Sequence, residues 1–478
     1  MLFALPGAAA SGDAAVQQAH QAFSARQLAN LERAARAVPD EHVLRPYVEY
    51  WRLALAGRND DARIADFLAR YPGSQLAERV RGDWLKSLGA REAWLIYLTE
   101  YPRLAKPDSA HRCYAYRGEW AQGNLNRQRE AIALWFTGRD MPSACTPLFA
   151  RLIEAGLINQ EDIWRRFRLA LDAGNPGVAR QVINVIAVAD RPAAALLDQA
   201  SSDPARLLTA DSLDMSRRGD REIVLYALDQ LAKRNSREAE QALRKRLPQL
   251  GPTEASTAWA RLATWAARRH EPVALPWFQQ AGLVAVNDFQ REWWARTALR
   301  AGNWPSVQQA INSMGDSTQT QPVWRYWRAR ALQAGGQRLS AHTLFLALSR
   351  EHHYYGQLAQ EELGAAAQAP PINIKVGGGD VAAIARDPGI ARALALRELG
   401  FSNDASQEWN WSIREFTDAQ LLAAAEQARR IEWSTARSTL PSRHVNCMIS
   451  SCVFSRLTGN WRNAPQVKTR SMKPGCLA

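Results

Sequence analysis

A helix ending that recurs along this chain of 478 residues constrains its fold more than any other feature. In each copy, one or more aromatic residues precede a run of small and basic residues, and the run closes on a glycine. The copies read YWRLALAGRND at 50–60, YRGEWAQGN at 116–124, FRLALDAGN at 167–175, WARTALRAGNW at 294–304 and YWRARALQAGGQ at 326–337. A terminal glycine takes the left-handed conformation that ends a helix, so the pattern predicts helices ending at Gly57, Gly123, Gly174, Gly302 and Gly335.

A second amphipathic segment follows these endings, as in DDARIADFLARYPGS after Gly57 and WPSVQQAINSM after Gly302. The alanines of the first segment allow a neighbour to approach closely, so each pair of segments is expected to form a helical hairpin. Alternation of apolar and polar residues at strand period is nearly absent. The sequence therefore predicts an all-α fold: a superhelical α-solenoid of tetratricopeptide-like hairpins, followed by a small helical domain.

The distribution of charge argues against a nucleic-acid partner, although the formal net charge is +13. Residues 434–478 hold seven basic residues and no acidic one, which leaves 53 basic against 47 acidic residues in the rest of the chain. The body is therefore only mildly basic and lacks the basic patch that nucleic-acid binding requires. No run of about 18 apolar residues occurs, so no membrane span is predicted.

Residues 366–380 break the helical pattern with two consecutive prolines and three consecutive glycines, which predict a linker. The glycines resemble a phosphate-binding loop only weakly, because no Gly-Lys-Ser/Thr follows them. Helical sequence resumes over 381–433, which is interpreted as a small helical linker domain. Within it, Thr417 and Gln420 form a predicted capping box.

Both ends of the chain read differently from its body. Residues 1–14 have a short apolar stretch and the small-residue run GAAA but no positively charged start, and they are interpreted as the remnant of an export signal or as an ordinary frayed terminus. Over 434–478 acidic residues and helical periodicity are lost, while Ser, Thr, Asn and Cys increase. These residues are interpreted as an aberrant basic tail, either disordered or produced by a shifted reading frame.

The five cysteines suggest a cross-link rather than a metal site. A bond between Cys113 and Cys145 would close a loop of about 33 residues and stabilise the fold by roughly 3 to 4 kcal/mol; the alternative is two unrelated buried thiols. The remaining cysteines include no Cys-x-x-Cys pair, and the single histidine near them does not complete a zinc spacing. The residues in question are Cys447, Cys452, Cys476 and His444.

Other chemical signals are sparse. His352 and His353 are candidate ligands or bases, but adjacent histidines on a helix point about 100° apart, which favours packing roles. No nucleophile elbow and no His-Glu-x-x-His motif occurs. The sequence implies no metal and no cofactor. Of the 18 tryptophans, most are expected in the core, and the remainder are candidates for stacking against sugar rings or partner chains.

Several segments together resemble the soluble lytic murein transglycosylases of Gram-negative bacteria. The segments are CYAYRGEWAQGN, ALWFTGRDMPSACTPLF, WRRFRLALDAGN, WRYWRARAL and YYGQLAQEELG, and the resemblance runs from about residue 15 to about residue 433. It implies a superhelical domain over 15–365 and a linker domain over 381–433. It also implies a disulfide between Cys113 and Cys145 and a location in the periplasm.

In that family a lysozyme-like catalytic domain cuts the glycan strand. A single glutamate protonates the glycosidic oxygen and then acts as the base while the sugar closes a 1,6-anhydro ring. Its Glu-Ser and Gly-Leu-Met-Gln segments do not occur in this sequence, and the 45 residues after Trp433 are fewer than the order of 100 residues that such a domain needs. No catalytic residue is assigned, and whether the chain acts as an enzyme stays open.

The resulting hypothesis is the non-catalytic body of a truncated lytic transglycosylase, with peptidoglycan glycan strands and other cell-wall proteins as partners. Tyr354, Tyr355, Trp409 and Trp411 are candidates for contacts with glycan, and packing is the alternative role for each. A competing hypothesis is a stand-alone tetratricopeptide-like scaffold that binds protein partners. A third is residual transglycosylase activity, which would release anhydro-muropeptides.

Overall fold

A computed structural model describes residues 6–56, 60–210, 213–283, 286–351, 353–365 and 376–433, with the backbone alone over 6–11. Within these ranges the regular structure consists of α-helices and short 3₁₀ turns, with no strand. The predicted all-α fold class is confirmed. Gly57, His352, most of the predicted linker and the predicted tail, with its three cysteines and His444, lie outside the described residues.

The described helices are 4 to 19 residues long. In chain order they are α1 (Pro6–Ser24), α2 (Leu28–Ala37), α3 (Arg45–Ala56), α4 (Asp61–Arg70), α5 (Gln75–Ala90), α6 (Trp94–Glu100), α7 (Ser109–Ala121), α8 (Gln128–Ala133), α9 (Thr146–Glu154), α10 (Gln160–Asp172), α11 (Pro176–Ile183), α12 (Ala194–Ser202), α13 (Pro204–Thr209), α14 (Arg218–Arg234), α15 (Ser236–Arg246), α16 (Pro252–Arg268), α17 (Ala274–Ala281), α18 (Asp288–Arg300), α19 (Trp304–Ser313), α20 (Asp316–Gln319), α21 (Pro322–Ala334), α22 (Arg338–Leu348), α23 (Tyr354–Glu362), α24 (Gly378–Ala385), α25 (Pro388–Glu398), α26 (Ser402–Ser412) and α27 (Asp418–Arg430).

The helices fall into two compact units. Unit 1 contains α1 to α9 and α24 to α27, and unit 2 contains α10 to α23 together with residues 136–140. Unit 1 is therefore assembled from segments far apart in the sequence. The domain boundaries predicted from the sequence stay predictions.

One apolar core runs through unit 1 and joins its N-terminal helices to its C-terminal ones. Leu44, Tyr47 and Trp51 of the N-terminal part lie in the same buried cluster as Ile390 and Trp409 of the C-terminal part. Each of these five residues is almost fully buried. The hydrophobic effect therefore stabilises α24 to α27 through their contact with the first helices of the chain.

Unit 2 is a succession of helical hairpins. Helix α14 pairs with α15, α16 with α17, α18 with α19, and α21 with α22, and α16 also packs against α14 and α18. Gly123, Gly174 and Gly302 have positive φ values of 75°, 73° and 65°, so these closing glycines end their helices as predicted. At α21 the prediction was wrong by one residue, because Gly336 (φ 80°) takes the left-handed conformation while Gly335 (φ −81°) does not.

Arginines at the ends of helices have a structural role in this unit. The Arg269 guanidinium donates to the carbonyl oxygen of Ala232 at 2.8 Å, and Arg300 donates to that of Ala267 at 3.3 Å. Each arginine thus reaches from the end of one helix to a carbonyl in the last turn of the first helix of the preceding hairpin. Cations are favoured there because the C-terminus of a helix carries partial negative charge.

A glycine fixes the position of residues 136–140 in unit 2. The Gly138 carbonyl accepts a hydrogen bond from Asn175 Nδ2 at 2.8 Å. A Cβ atom at Gly138 would lie 2.1 Å from the carbonyl oxygen of Leu169 and 2.7 Å from Ala173 Cβ. Only glycine therefore fits against α10 at this point.

Helix α24 begins earlier than the predicted linker implies. Gly377 is its N-cap, and the next two glycines form the first turn, where backbone N–H groups need no partner within the helix. The Asp380 carboxylate accepts from the Gly377 N–H at 2.8 Å, which stabilises this start. The capping box of Thr417 and Gln420 is confirmed. No helix in the described ranges is long and apolar enough to cross a membrane.

Candidate functional site

The most exposed of the predicted glycan-contacting residues lies at the start of α23. The Tyr354 side chain is 62% exposed, and its ring meets that of Tyr355 edge to face, with centroids 5.2 Å apart. Tyr355 in turn lies 5.7 Å from the ring of Tyr326 on α21, which is buried. We call these three tyrosines the Tyr354 surface. It offers one accessible aromatic ring on a base of packed ones.

An ion pair fixes the inner part of the Tyr354 surface. The Tyr326 hydroxyl donates to Glu362 Oε1 at 3.1 Å, and Arg330 donates to the same oxygen at 2.5 Å. Burial raises the pKa of Tyr326 to about 12, although the neighbouring Arg330 opposes the change. Tyr326 therefore stays a neutral hydroxyl that holds α21 and α23 together.

A second ion pair precedes α23. Glu351 accepts hydrogen bonds from Arg325 at 2.6 Å and from His353 Nε2 at 2.9 Å. Burial acts to raise the pKa of Glu351, but the hydrogen bonds from His353 and Arg325 outweigh it, so the pKa is lowered. His353 Nδ1 accepts from the Gly356 N–H at 3.0 Å and caps α23. Both ring nitrogens of His353 are thus engaged in the structure, which assigns it a positioning role for Tyr354.

The two candidate tryptophans of α26 differ in exposure. Trp409 is fully buried against Trp433, with ring centroids 5.2 Å apart. A buried ring cannot contact glycan, so the expected glycan contact of Trp409 does not fit this position. Residues two positions apart on a helix point about 200° apart, so Trp411 faces away from the core that Trp409 enters. Trp411 is partly exposed, and its Nε1 donates to the Gly73 carbonyl at 2.8 Å.

Two cations flank Trp411. The guanidinium carbon of Arg414 lies 3.7 Å from the centroid of its ring, and Lys106 Nζ lies 5.7 Å from it. Both distances are within the range of cation–π attraction. Trp411 and the Tyr354 surface belong to different units, and each is described by itself.

A buried carboxylate positions the helix that carries Trp411. Glu408 is fully buried, and its Oε2 accepts from the Tyr47 hydroxyl at 2.9 Å. Its Oε1 accepts from Arg392 Nε at 2.7 Å. Burial and the adjacent Glu408 raise the pKa of Tyr47 far above its ordinary value, so its proton stays in place. Sequence reasoning missed this triad, and no local pattern marks residues 361 positions apart as partners.

The structure joins Cys113 and Cys145 by a disulfide within unit 1, and both residues are fully buried. Cys113 lies on α7, whose N-terminus is capped by Asp108. Burial acts to raise the pKa of Asp108, but hydrogen bonds from Lys86 and from the His111 backbone outweigh it and lower the pKa to about 2. The cap is therefore ionised at neutral pH.

The described side chains offer binding chemistry rather than metal chemistry. No group of three or more His, Cys, Asp or Glu residues within the described part of the chain is arranged to hold a metal ion. The Glu351 and Glu362 carboxylates near the Tyr354 surface are both held in ion pairs with arginines. The accessible part of the Tyr354 surface is therefore an aromatic ring beside charged groups. Such an arrangement is typical of contacts with carbohydrate or peptide.

Comparison with known proteins identifies relatives over most of the chain. Residues 383–436 match the family model described as the soluble lytic murein transglycosylase L domain. The soluble lytic murein transglycosylase of Salmonella typhimurium is 23% identical over 430 residues, covering 87% of this chain and 65% of that protein. The chain thus spans a little under two thirds of the length of this curated relative.

Solved structures show the same fold. The lytic transglycosylase Slt of Pseudomonas aeruginosa, solved as an inactive mutant, matches with a TM-score of 0.69 at 22% identity, over 93% of this chain and 73% of that one. The 70-kDa enzyme SLT70 of Escherichia coli matches with a TM-score of 0.58 at 19% identity, over 93% and 71%. The L-domain match, the curated relative and the shared fold agree. This chain is therefore similar to the soluble lytic murein transglycosylases over most of its length, and residues 383–436 match their L domain.

Proposed function

We propose that this chain binds the glycan strands of peptidoglycan in the periplasm. The observation that carries the proposal is the Tyr354 surface: an aromatic ring 62% exposed and backed by two further tyrosines, in a chain similar to this family. The C–H groups on one face of a sugar ring form an apolar surface that packs against an aromatic ring. Tyrosine adds a hydroxyl at the edge of that contact for hydrogen bonding to the sugar.

The proposed role of the chain is to hold the strand. The family's reaction cleaves the glycan strand and leaves 1,6-anhydromuramic ends. It needs a glutamate that acts first as acid and then as base, and no residue of this sequence is assigned that role. Incubation of the purified chain with murein sacculi, followed by chromatography of the soluble products, tests this point. We expect no anhydro-muropeptides; their release would overturn the assignment of a binding role alone.

The disulfide supports the proposed location. Structural disulfides form and persist in oxidising compartments such as the periplasm. Cysteine labelling before and after reduction, on protein taken directly from cells, checks this. We expect Cys113 and Cys145 to react with a thiol reagent only after reduction under denaturing conditions, whereas labelling without reduction would contradict the periplasmic location.

Retention on purified sacculi tests glycan binding. We expect the chain to sediment with sacculi and to be released by soluble glycan fragments. Tyr354→Ala should weaken retention about tenfold, because it removes the exposed ring of the Tyr354 surface. Phe289→Ala is the matched control, since Phe289 is also an exposed aromatic residue of unit 2, at 55%. Equal retention of the two variants would argue against the Tyr354 surface as the binding site.

One observation favours the second candidate function, a scaffold for protein partners. Leu339 and Leu346 of α22 are 87% and 43% exposed and lie seven residues apart, on one face of the helix. Such a face suits the apolar side of a partner helix. If the chain is not retained on sacculi, while a specific protein partner binds the wild type and not Leu339→Ser/Leu346→Ser, the scaffold replaces the glycan-binding proposal.

A further inference from the structure

A tryptophan near the end of α16 is flanked by two cations, one from α16 itself and one from α14. The guanidinium carbon of Arg268 lies 4.5 Å from the centroid of the Trp265 ring, and Lys233 Nζ, from α14, lies 5.7 Å from it. Trp265 Nε1 donates to Asp229 Oδ1 at 2.9 Å. The indole is therefore held in orientation, and its ring attracts both cations.

Lys233 and Arg268 do not cap helix ends, in contrast to the arginines that follow each of them in the sequence. Arg234 donates to the Ser201 carbonyl at 2.9 Å, and Arg269 donates to the Ala232 carbonyl at 2.8 Å, so both neutralise helix ends. Arg268 and Lys233 make no such bond with their side chains. Within the residues that the structure describes, neither forms an ion pair with a carboxylate, and both are exposed.

The carboxylate that accepts from the indole attracts Lys233 as well as Arg261, so it offsets the pair only in part. Asp229 is engaged by the Trp265 indole and by Gln230 Nε2 at 3.3 Å, and it faces the buried Arg261. Arg261 also binds Asp172 at 2.9 Å. The outer face of the cluster is left with two positive charges held near one aromatic ring, which we call the Trp265 site (Lys233, Trp265 and Arg268).

We infer that the Trp265 site binds the carboxylates of the peptide stems of peptidoglycan, an inference that rests on the proposed function. A carboxylate accepts charge-assisted hydrogen bonds from an ammonium and a guanidinium, and the planar fork of an arginine suits it in particular. The Trp265 ring is partly exposed and offers apolar surface to the alkyl part of a stem.

The test compares two forms of one polymer. Retention is measured on intact sacculi and on sacculi freed of their peptides by an amidase, for the wild type and for Lys233→Gln/Arg268→Gln. We expect this variant to bind intact sacculi about tenfold more weakly and peptide-free glycan as the wild type does. The wild type should also lose its preference for intact sacculi at high salt, because screening weakens the charge contacts.

A matched control removes the same net charge elsewhere in unit 2. Lys245 is an exposed cation, and Arg165 is an exposed cation stacked on the Phe136 ring at 4.4 Å, so Lys245→Gln/Arg165→Gln should bind both materials like the wild type. Equal loss in both double variants would overturn the inference in favour of a general charge effect. Thermal unfolding of all variants checks that none is misfolded.

The outcomes separate this inference from the proposed function. If the wild type binds neither material, the proposed function fails and the Trp265 site fails with it. If the wild type binds both and Lys233→Gln/Arg268→Gln is indistinguishable from it on intact sacculi, the Trp265 site alone is refuted. Binding to vesicles of an anionic phospholipid in place of sacculi, lost in this variant, would assign the site to lipid headgroups and overturn the inference.

Discussion

The buried Glu408 carboxylate is the side chain whose replacement tests the architecture of unit 1 most directly. Glu408→Gln keeps the shape of the side chain and its ability to accept hydrogen bonds, but it removes the charge that faces Arg392, whose side chain is only 17% exposed. Leaving one member of a buried ion pair without its partner costs about 3 to 5 kcal/mol. Because the glutamine retains neutral hydrogen bonds, we expect a loss of about 3 kcal/mol in the free energy of unfolding of unit 1.

Tyr47→Phe removes one charge-assisted hydrogen bond to the same carboxylate and should cost about 2 kcal/mol. Since Glu408→Gln already weakens that bond, the double variant should lose less than the sum of the single losses. Asp66→Asn is the control for removal of a carboxylate. Asp66 pairs with Arg70 at the surface, where its side chain is 61% exposed, and this change should cost less than about 0.5 kcal/mol.

Native-state hydrogen exchange, read by mass spectrometry, measures these losses within unit 1 without assuming that the whole chain unfolds in one step. We expect peptides from α3 and α26 to lose protection together in Glu408→Gln, because the carboxylate joins these two helices. A loss below about 1 kcal/mol, or a loss confined to α26, would refute the reasoning that this contact stabilises both segments.

Three further predictions concern stability. Gly138→Ala should destabilise unit 2 by more than about 2 kcal/mol, because its Cβ would meet a backbone carbonyl, whereas Gly177→Ala, with open space around it, should be neutral or slightly stabilising; equal chemical-denaturation midpoints would contradict this. Cys113→Ala/Cys145→Ala should lower the free energy of unfolding by about 3 to 4 kcal/mol, and reductant should then no longer affect the thermal midpoint. The pKa of Asp108 is lowered to about 2 in the folded protein, so its ionised carboxylate stabilises the native state above pH 4. This contribution is about 1 kcal/mol, because the side chain is 50% exposed, and it is lost as the pH falls through 2. Thermal midpoints of Asp108→Asn and the wild type should therefore differ at pH 6 and converge near pH 2.

Local features of the fold could be predicted because local rules govern them. Positive φ values at Gly123, Gly174 and Gly302 follow from the glycine that ends a helix, and the capping box at Thr417 follows from side chains three residues apart. The error at Gly335 has the same origin. Two adjacent glycines satisfy the rule equally well, and the structure uses the second.

The candidate site depended on information that local patterns do not carry. Trp409 and Trp411 look alike in the sequence, but the direction of α26 against the core decides which of them is accessible. Their exposure could be assigned only after the partners of α26 were known. Those partners, including Tyr47, lie hundreds of residues earlier, and no short-range periodicity identifies them.

The discontinuity of unit 1 has a consequence for the order in which the chain folds. The N-terminal helices leave the ribosome long before α24 to α27, yet both sets share one core. Contacts of high sequence separation form slowly, because closing the intervening loop costs entropy. Unit 2, built from contacts between neighbouring hairpins, is expected to fold first. Until then, the part of α3 that contacts Phe401 and Glu408 stays uncovered, and it is a natural target for a chaperone that recognises apolar helix surfaces.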